Sequence, residues 1–342
     1  MQLVASLPCA PEVQEFRLDD CGKLQWESLP PMIKTLYIGG QFVERSFLEK
    51  AMYSISNACL ESLTVRDCPD VEFIFCHSRN CLRHLGLTRC DSLRAFSFHF
   101  FPKLQELSLE NCNNLESFSI SESLDRSLPS LESLGIEGCP KFVSFPEGGF
   151  SAPNLKYFSI EKMQSLKSLP EGMYTLFPSL TLMRLFDCPQ LECCEGGLQS
   201  GSLQSLFIWR CPKLVASRIK WSLHGCTSLL ELQIRDENVE SFPEQGLLPA
   251  TLTYLSFWKC SNLKTLDYKG LCHLISLKTL HIRRCPRLEF LPKEGLPSSI
   301  FKLEISSCPM LKERCQKEKG EDWSKIAHIP YIKIDGFKDI CT

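Results

Sequence analysis

Leu60-Glu61-Ser62-Leu63-Thr64-Val65-Arg66-Asp67-Cys68-Pro69 is the stretch whose reading decides the fold. It runs aliphatic, two variable residues, aliphatic, one variable residue, aliphatic, two variable residues, then cysteine. The phrase returns as Leu203-Gln204-Ser205-Leu206-Phe207-Ile208-Trp209-Arg210-Cys211-Pro212. Thirteen versions begin at Val13, Ile33, Leu60, Leu82, Leu104, Leu131, Leu155, Leu180, Leu203, Leu229, Leu252, Leu277 and Ile300, spaced 20–27 residues apart.

That period and that phrase are the signature of leucine-rich repeats. Within each copy the apolar residues alternate with variable ones, as in a short strand with one buried face. Leu63 and Val65 are expected to point inward, and Thr64 and Arg66 outward. Neighbouring strands would pair, because each repeat leaves apolar surface that only its neighbours cover. The expected fold is an α/β solenoid: a leucine-rich repeat horseshoe with a concave parallel β-sheet and a convex side made mostly of loops and 3₁₀ turns. Residues 1–311 are assigned to about thirteen repeats and residues 312–342 to a C-terminal cap. In that cap, Trp323, Ile326 and Ile329 follow a charged stretch, and Tyr331–Ile334 alternates like a last strand. The long interval after Ile33 leaves room for a short helix around Val43–Met52.

Between the strands, Phe145-Pro146-Glu147-Gly148-Gly149, Leu169-Pro170-Glu171-Gly172, Phe242-Pro243-Glu244-Gln245-Gly246 and Leu291-Pro292-Lys293-Glu294-Gly295 recur. Proline cannot donate to a ladder and glycine accepts positive φ, so these segments read as turns.

The chain has 342 residues, a formal net charge of −2 and 20 cysteines. The charge supplies no field favouring nucleic acid or an anionic membrane. No apolar run approaches the length of a membrane span. Ten cysteines (Cys21, Cys68, Cys90, Cys112, Cys139, Cys188, Cys211, Cys260, Cys285 and Cys308) share one repeat position, just after the strand. A small thiol there is expected to tuck under the turn and bond weakly to backbone carbonyls. Cys315 and Cys341 lie outside that register and are expected to matter little for stability. No C-x-x-C pair occurs, which argues against zinc. Many free thiols, no N-x-[ST] sequon and no secretory leader point to a reducing, cytoplasmic setting.

Motifs for phosphate binding, nucleophilic hydrolysis and zinc hydrolysis are all missing, and the histidines are scattered. The expectation is a module that is not an enzyme, with no catalytic residues, no cofactor and no metal.

The residue after the third aliphatic traces a stripe along the concave face. It begins mixed, presents Glu110, Glu137 and Glu161, and then runs Phe186, Trp209, Arg235, Trp258, Arg283. The adjacent stripe adds Arg184, Phe207 and His281, with Arg210, Lys259 and Arg284 beside it. Clustered Trp, Phe and Arg on a solvent-facing surface have the composition of binding hot spots. The candidate protein-binding residues are therefore Arg184, Phe186, Phe207, Trp209, Arg235, Trp258 and Arg283. The competing reading is that they pack on one another as cross-strand and cation–π ladders. The acidic stretch reads first as a solvated face.

Cys139-Pro-Lys-Phe-Val-Ser-Phe-Pro-Glu-Gly148, Cys285-Pro-Arg-Leu-Glu-Phe-Leu-Pro-Lys-Glu-Gly295 and the closing Cys308–Asp335 segment resemble the leucine-rich repeat region of plant intracellular immune receptors. These are the coiled-coil, nucleotide-binding, leucine-rich-repeat disease resistance proteins. The resemblance implies recognition of a pathogen effector or a guarded host protein. It also implies inhibitory docking onto a nucleotide-binding module, here in trans. Members carry a signalling domain and a nucleotide switch ahead of the repeats. Met1 opens almost directly on a repeat, so the chain reads as the C-terminal part of such a receptor. A second reading is the substrate-recruiting arm of an F-box ubiquitin ligase, which the Pro-Glu-Gly segments argue against. A third is a scaffold that blocks an enzyme.

Overall fold

The computed structural model describes residues 12–19, 32–40, 60–68, 70–71, 81–120, 126–193 and 197–335. Cys21, Cys341 and the helix expected around Val43–Met52 fall outside them. The chain folds as two compact units, Met1–Pro170 and Glu171–Thr342.

In the first unit, strands β1 (Glu15–Asp19), β2 (Thr35–Gly39), β3 (Ser62–Arg66), β4 (His84–Thr88), β6 (Glu106–Glu110), β8 (Ser133–Glu137) and β9 (Tyr157–Glu161) pair in parallel in that order. Two short strands behind this sheet, β5 (Ala95–Ser97) and β7 (Ser117–Ser119), form a second ladder. The register matches repeat to repeat: Leu63 opposes Leu85, and Val65 opposes Leu87. Leu63 and Val65 are buried, Thr64 is half-buried and Arg66 is exposed, so the alternation sorts the faces as the sequence requires. Each such aliphatic contributes about 1.5–3 kcal/mol by leaving water. Behind the sheet, Phe96, Phe98, Phe118, Phe142, Phe145 and Phe150 are buried in one aromatic cluster. Neighbouring rings there stand 5.0–6.4 Å apart.

The second unit repeats the scheme. Strands β10 (Leu182–Phe186), β11 (Ser205–Trp209), β12 (Glu231–Arg235), β14 (Tyr254–Trp258), β16 (Thr279–Arg283), β17 (Lys302–Ser306) and β18 (Tyr331–Ile334) form the parallel sheet. The short β13 (Ser241–Phe242) and β15 (Thr265–Leu266) pair behind it. Among the described residues, the remaining back-side elements of this unit are short: 3₁₀ turns and helices of at most six residues, the longest being Pro309–Arg314. The Pro-Glu-Gly segments are turns. Gly149 N–H donates to Pro146 O at 2.8 Å, Gly295 N–H donates to Pro292 O at 3.0 Å, and Gly148 takes the positive φ of 72° that a side chain would resist.

Ten of the described turns share a backbone conformation that the repeated phrase does not announce. The residue two places after the third aliphatic adopts the left-handed region: Asp67, Arg89, Asn111, Lys162, Asp187, Arg210, Asp236, Lys259, Arg284 and Ser307 have φ of 51–59°. Such a conformation is uncommon without glycine. Here most of these N–H groups donate one bond further along the ladder, as Asp187 does to Trp209 O and Asp236 to Trp258 O, both at 2.7 Å. The chain then turns inward and delivers the next side chain beneath the strand.

That next side chain is the ladder cysteine. Cys68, Cys90, Cys112, Cys139, Cys188, Cys211, Cys260, Cys285 and Cys308 are buried and unbridged. The Cys211 thiol lies 3.3 Å from Leu185 O and 3.4 Å from Trp209 O, touching its own strand and the preceding one. Cys308 repeats this with Ile282 O and Ser306 O.

Among the described residues, two repeats fill the position differently, with Met163 and Glu237, both buried. The Glu237 carboxylate accepts the Cys211 N–H through Oε1, while Oε2 is buried without a hydrogen-bond partner. Burial pushes its pKa up to about 7.

Cys315 departs from expectation. It is fully buried at the end of the Pro309–Arg314 helix, its N–H on Leu311 O at 3.0 Å, and burial pushes its thiol up to about 12. Helix and turn fold over the last strands, so a cysteine off the repeat register still becomes core. Asp322 anchors the same segment. Its carboxylate meets Arg314 at 3.2 Å, Lys325 at 2.8 Å and the Leu291 N–H at 2.9 Å.

Candidate functional site

The face of the second unit's sheet carries the residues singled out from sequence. Their register is continuous: Phe186 opposes Trp209, Trp209 opposes Arg235, Arg235 opposes Trp258, and Trp258 opposes Arg283. On the neighbouring row Arg184 opposes Phe207, followed by Gln233, Ser256, His281 and Glu304. Arg184 is exposed; Phe186, Phe207, Trp209, Arg235, Trp258 and Arg283 are half-buried.

These side chains do touch one another. The Phe186 and Trp209 rings meet edge to face at 5.6 Å, and Trp209 reaches past the Arg235 strand to Trp258 at 6.2 Å. Arg235 lies 4.6 Å over the Trp258 ring and Arg283 lies 5.8 Å from its centroid. Arg184 covers Phe207 at 5.9 Å, and Arg210 covers Trp209 at 5.3 Å. The stacking ladder weighed from sequence is therefore present. It leaves the outer surfaces of the same rings facing solvent, so packing and contact are compatible here.

A polar chain runs beside the aromatics and was not legible beforehand. Ser205 donates to Glu231, Gln233 donates to Glu231 at 2.6 Å, and Arg235 Nη2 donates to Gln233 Oε1 at 2.8 Å. Further along, Tyr254 Oη and His281 Nδ1 lie 2.9 Å apart. Glu304 stands 3.4 Å from His281 Nε2, at ion-pair distance but out of hydrogen-bond alignment, and 2.8 Å from Lys302. Burial lowers the His281 pKa and raises that of Tyr254. Burial also opposes ionisation of Glu304, yet Lys302 and His281 outweigh it and hold that carboxyl low.

Gln233, Arg235, Tyr254, Ser256, Trp258, His281, Arg283 and Glu304 enclose a hollow of about 140 Å³ in this face. Its wall carries one indole donor without an acceptor and a guanidinium bonded to a neutral amide. The Trp258 indole N–H has no hydrogen-bond partner. Among the described residues, no carboxylate lies within 4.0 Å of the Arg235 guanidinium.

The acidic stripe of the first unit is partly satisfied from within. Glu110 accepts from Ser108 at 3.0 Å, Glu161 accepts from Ser159 at 2.8 Å, and Glu137 pairs with Lys162 at 2.6 Å. Among the described residues, no group of three or more His, Cys, Asp or Glu could hold a metal ion. No helix among them is long and apolar enough to cross a membrane.

No protein-family model matches the chain. It is 34% identical over 220 residues to a disease resistance protein of Arabidopsis thaliana, an alignment covering 64% of this chain and 15% of the relative. A disease resistance protein of Solanum bulbocastanum is 47% identical over 55 residues, 16% of this chain and 6% of the relative. A further Arabidopsis thaliana disease resistance protein is 27% identical over 197 residues, 57% of this chain and 15% of the relative. The chain thus spans about a seventh of the length of the Arabidopsis relatives.

Solved structures resemble it loosely. The complex of TLR13 with ssRNA13 has a TM-score of 0.41 and 15% identity, covering 85% of this chain and 47% of that chain. The leucine-rich repeat domain of the type III effector XopL has a TM-score of 0.26 and 14% identity, covering 95% and 77%. On its repeats the chain is a leucine-rich repeat region, and its sequence is similar to part of plant disease resistance proteins.

Proposed function

We propose that this chain is a non-enzymatic, cytoplasmic protein-recognition module of a plant immune receptor. Its partner is a pathogen effector or a guarded host protein, and the same surface can dock on a nucleotide-binding module supplied in trans. The contact face is Arg184, Phe186, Phe207, Trp209, Arg235, Trp258 and Arg283. One observation carries this reading: Phe186, Trp209 and Trp258 form a stack, flanked by arginines, on the solvent side of a parallel sheet. Aromatic and arginine side chains held in place by strands lose little freedom on binding and bury large areas.

The test is a pairwise interaction screen of the full chain against pathogen effectors and against nucleotide-binding modules of plant disease resistance proteins. Any specific partner should be lost by the Trp209→Ala, Trp258→Ala double variant and retained by the Glu110→Ala, Glu137→Ala variant. A partner that binds both variants equally would overturn the site. Binding instead to the adaptor subunit of a ubiquitin ligase would favour the F-box reading.

A further inference from the structure

We propose that the hollow between Arg235, Trp258 and Arg283 receives an aspartate or glutamate side chain of the partner protein, with an apolar residue beside it lying on Trp209 and Phe186. This rests on the recognition reading above and names the chemistry that the face selects.

The argument begins with charge. Arg235 stands in the middle of the face, half-buried between two tryptophan-bearing strands. Its hydrogen bond to Gln233 Oε1 is to a neutral amide, and no carboxylate among the described residues is within ion-pair distance. Arg283, one strand beyond Trp258, brings a second guanidinium to the other side of the same indole. Burial is the main effect disfavouring the Arg235 cation, and Arg283 adds to it while the field of Glu231 opposes it, so an anion placed directly on the guanidinium is favoured. The indole N–H of Trp258 supplies a further donor without an acceptor.

The shape and the remaining charges select among anions. The hollow of about 140 Å³ suits the end of a side chain, not a large ligand. Its wall includes Glu304, whose charge is already paired with Lys302 at 2.8 Å. A singly charged, planar carboxylate matches a guanidinium fork. A phosphate dianion would bring more charge towards Glu304. The rings of Trp209 and Phe186 continue the surface away from the hollow. The recognised segment is therefore an acidic residue with an apolar or aromatic neighbour.

The experiment pans a random peptide library against the full 342-residue chain, with peptides embedded in a constant scaffold so that no free carboxy terminus is offered. Enriched sequences should share an Asp or Glu next to an apolar residue. As synthetic peptides capped at both ends, they should bind about tenfold or more weakly when that residue becomes Asn or Gln, and equally so on the Arg235→Gln variant. Arg235→Lys, which keeps the charge but not the fork, should recover part of the affinity. Thermal melts confirm that both variants are folded.

A library that yields no acidic motif, or no binders, overturns the proposal. So does affinity indifferent to the amide exchange and to Arg235→Gln. If a single-stranded oligonucleotide or a phosphorylated peptide displaces the acidic peptides at lower concentration, and does so through Arg235, the hollow is a phosphate site instead. Peptides that need Trp209 and Trp258 but ignore Arg235 would leave the recognition face standing and remove only the carboxylate. Peptides that ignore the tryptophans would remove the face itself.

Discussion

Trp209 and Trp258 sit two strands apart, yet their rings meet at 6.2 Å across the strand that carries Arg235. Three functions of side chains converge there: packing, cation–π contact and a guanidinium with no described carboxylate at ion-pair distance. Replacing both tryptophans tests the first against the others. The rings are on the solvent face, so the double alanine variant loses about 1–3 kcal/mol of aromatic and cation–π contact and stays folded. Partner binding should vanish in the same variant. Circular dichroism melts beside a binding assay check this; unfolding of the variant would make the stack structural.

The buried thiols separate into classes by contact, not by repeat position. Cys211→Ala should destabilise by roughly 1–2 kcal/mol, from a small cavity and the loss of the weak thiol contacts to Leu185 O and Trp209 O. Cys315→Ala should cost a similar amount, since that thiol is equally buried in the C-terminal segment. Cys272→Ala, at an exposed cysteine, should change stability little. Urea unfolding of the three variants measures the order.

Glu237 occupies a cysteine position with a carboxyl whose pKa is raised to about 7 by burial, the Asp236 charge adding to the shift and the Cys211 N–H opposing it. A raised carboxyl binds its proton more tightly folded than unfolded. Its neutral form is therefore compatible with the fold at low pH, and stability falls as pH rises from about 4.5 to about 7, by roughly 3 kcal/mol in all. Glu237→Cys restores the ladder residue. It should remove this slope and raise the melting temperature at pH 8 while changing it least near pH 4.5.

Asp322 behaves with the opposite sign. Burial would raise its pKa, but Arg314, Lys325 and the Leu291 N–H together hold it below the ordinary carboxylate range. Its contribution is present above an unfolded value near 4 and is lost as pH falls through the lower folded value. Asp322→Asn should cost about 3 kcal/mol at neutral pH by leaving two cations without their shared partner. Hydrogen exchange should show the loss concentrated in residues 309–334.

Much of this was legible in the chain itself. The repeated phrase placed the sheet strands, because alternation with period two admits only one set of buried residues, and Leu206 and Ile208 could not face water in thirteen-fold company. It also placed Trp209, Arg235 and Trp258 on one row, since equal repeat positions become register partners.

The tertiary structure decided the rest. The left-handed residue before each ladder position is not visible in composition, because Asp, Arg, Lys, Asn and Ser all occupy it. Cys315 became core through the way its helix and turn close on the last strands, a contact without a repeat. That the Trp209 ring leans past Arg235, that Glu237 is sealed from water, and that Glu304 reaches both His281 and Lys302 follow from side-chain direction and neighbours. A period in sequence sets which residues share a row. Only packing sets which of them touch and which charges find a partner at ion-pair distance.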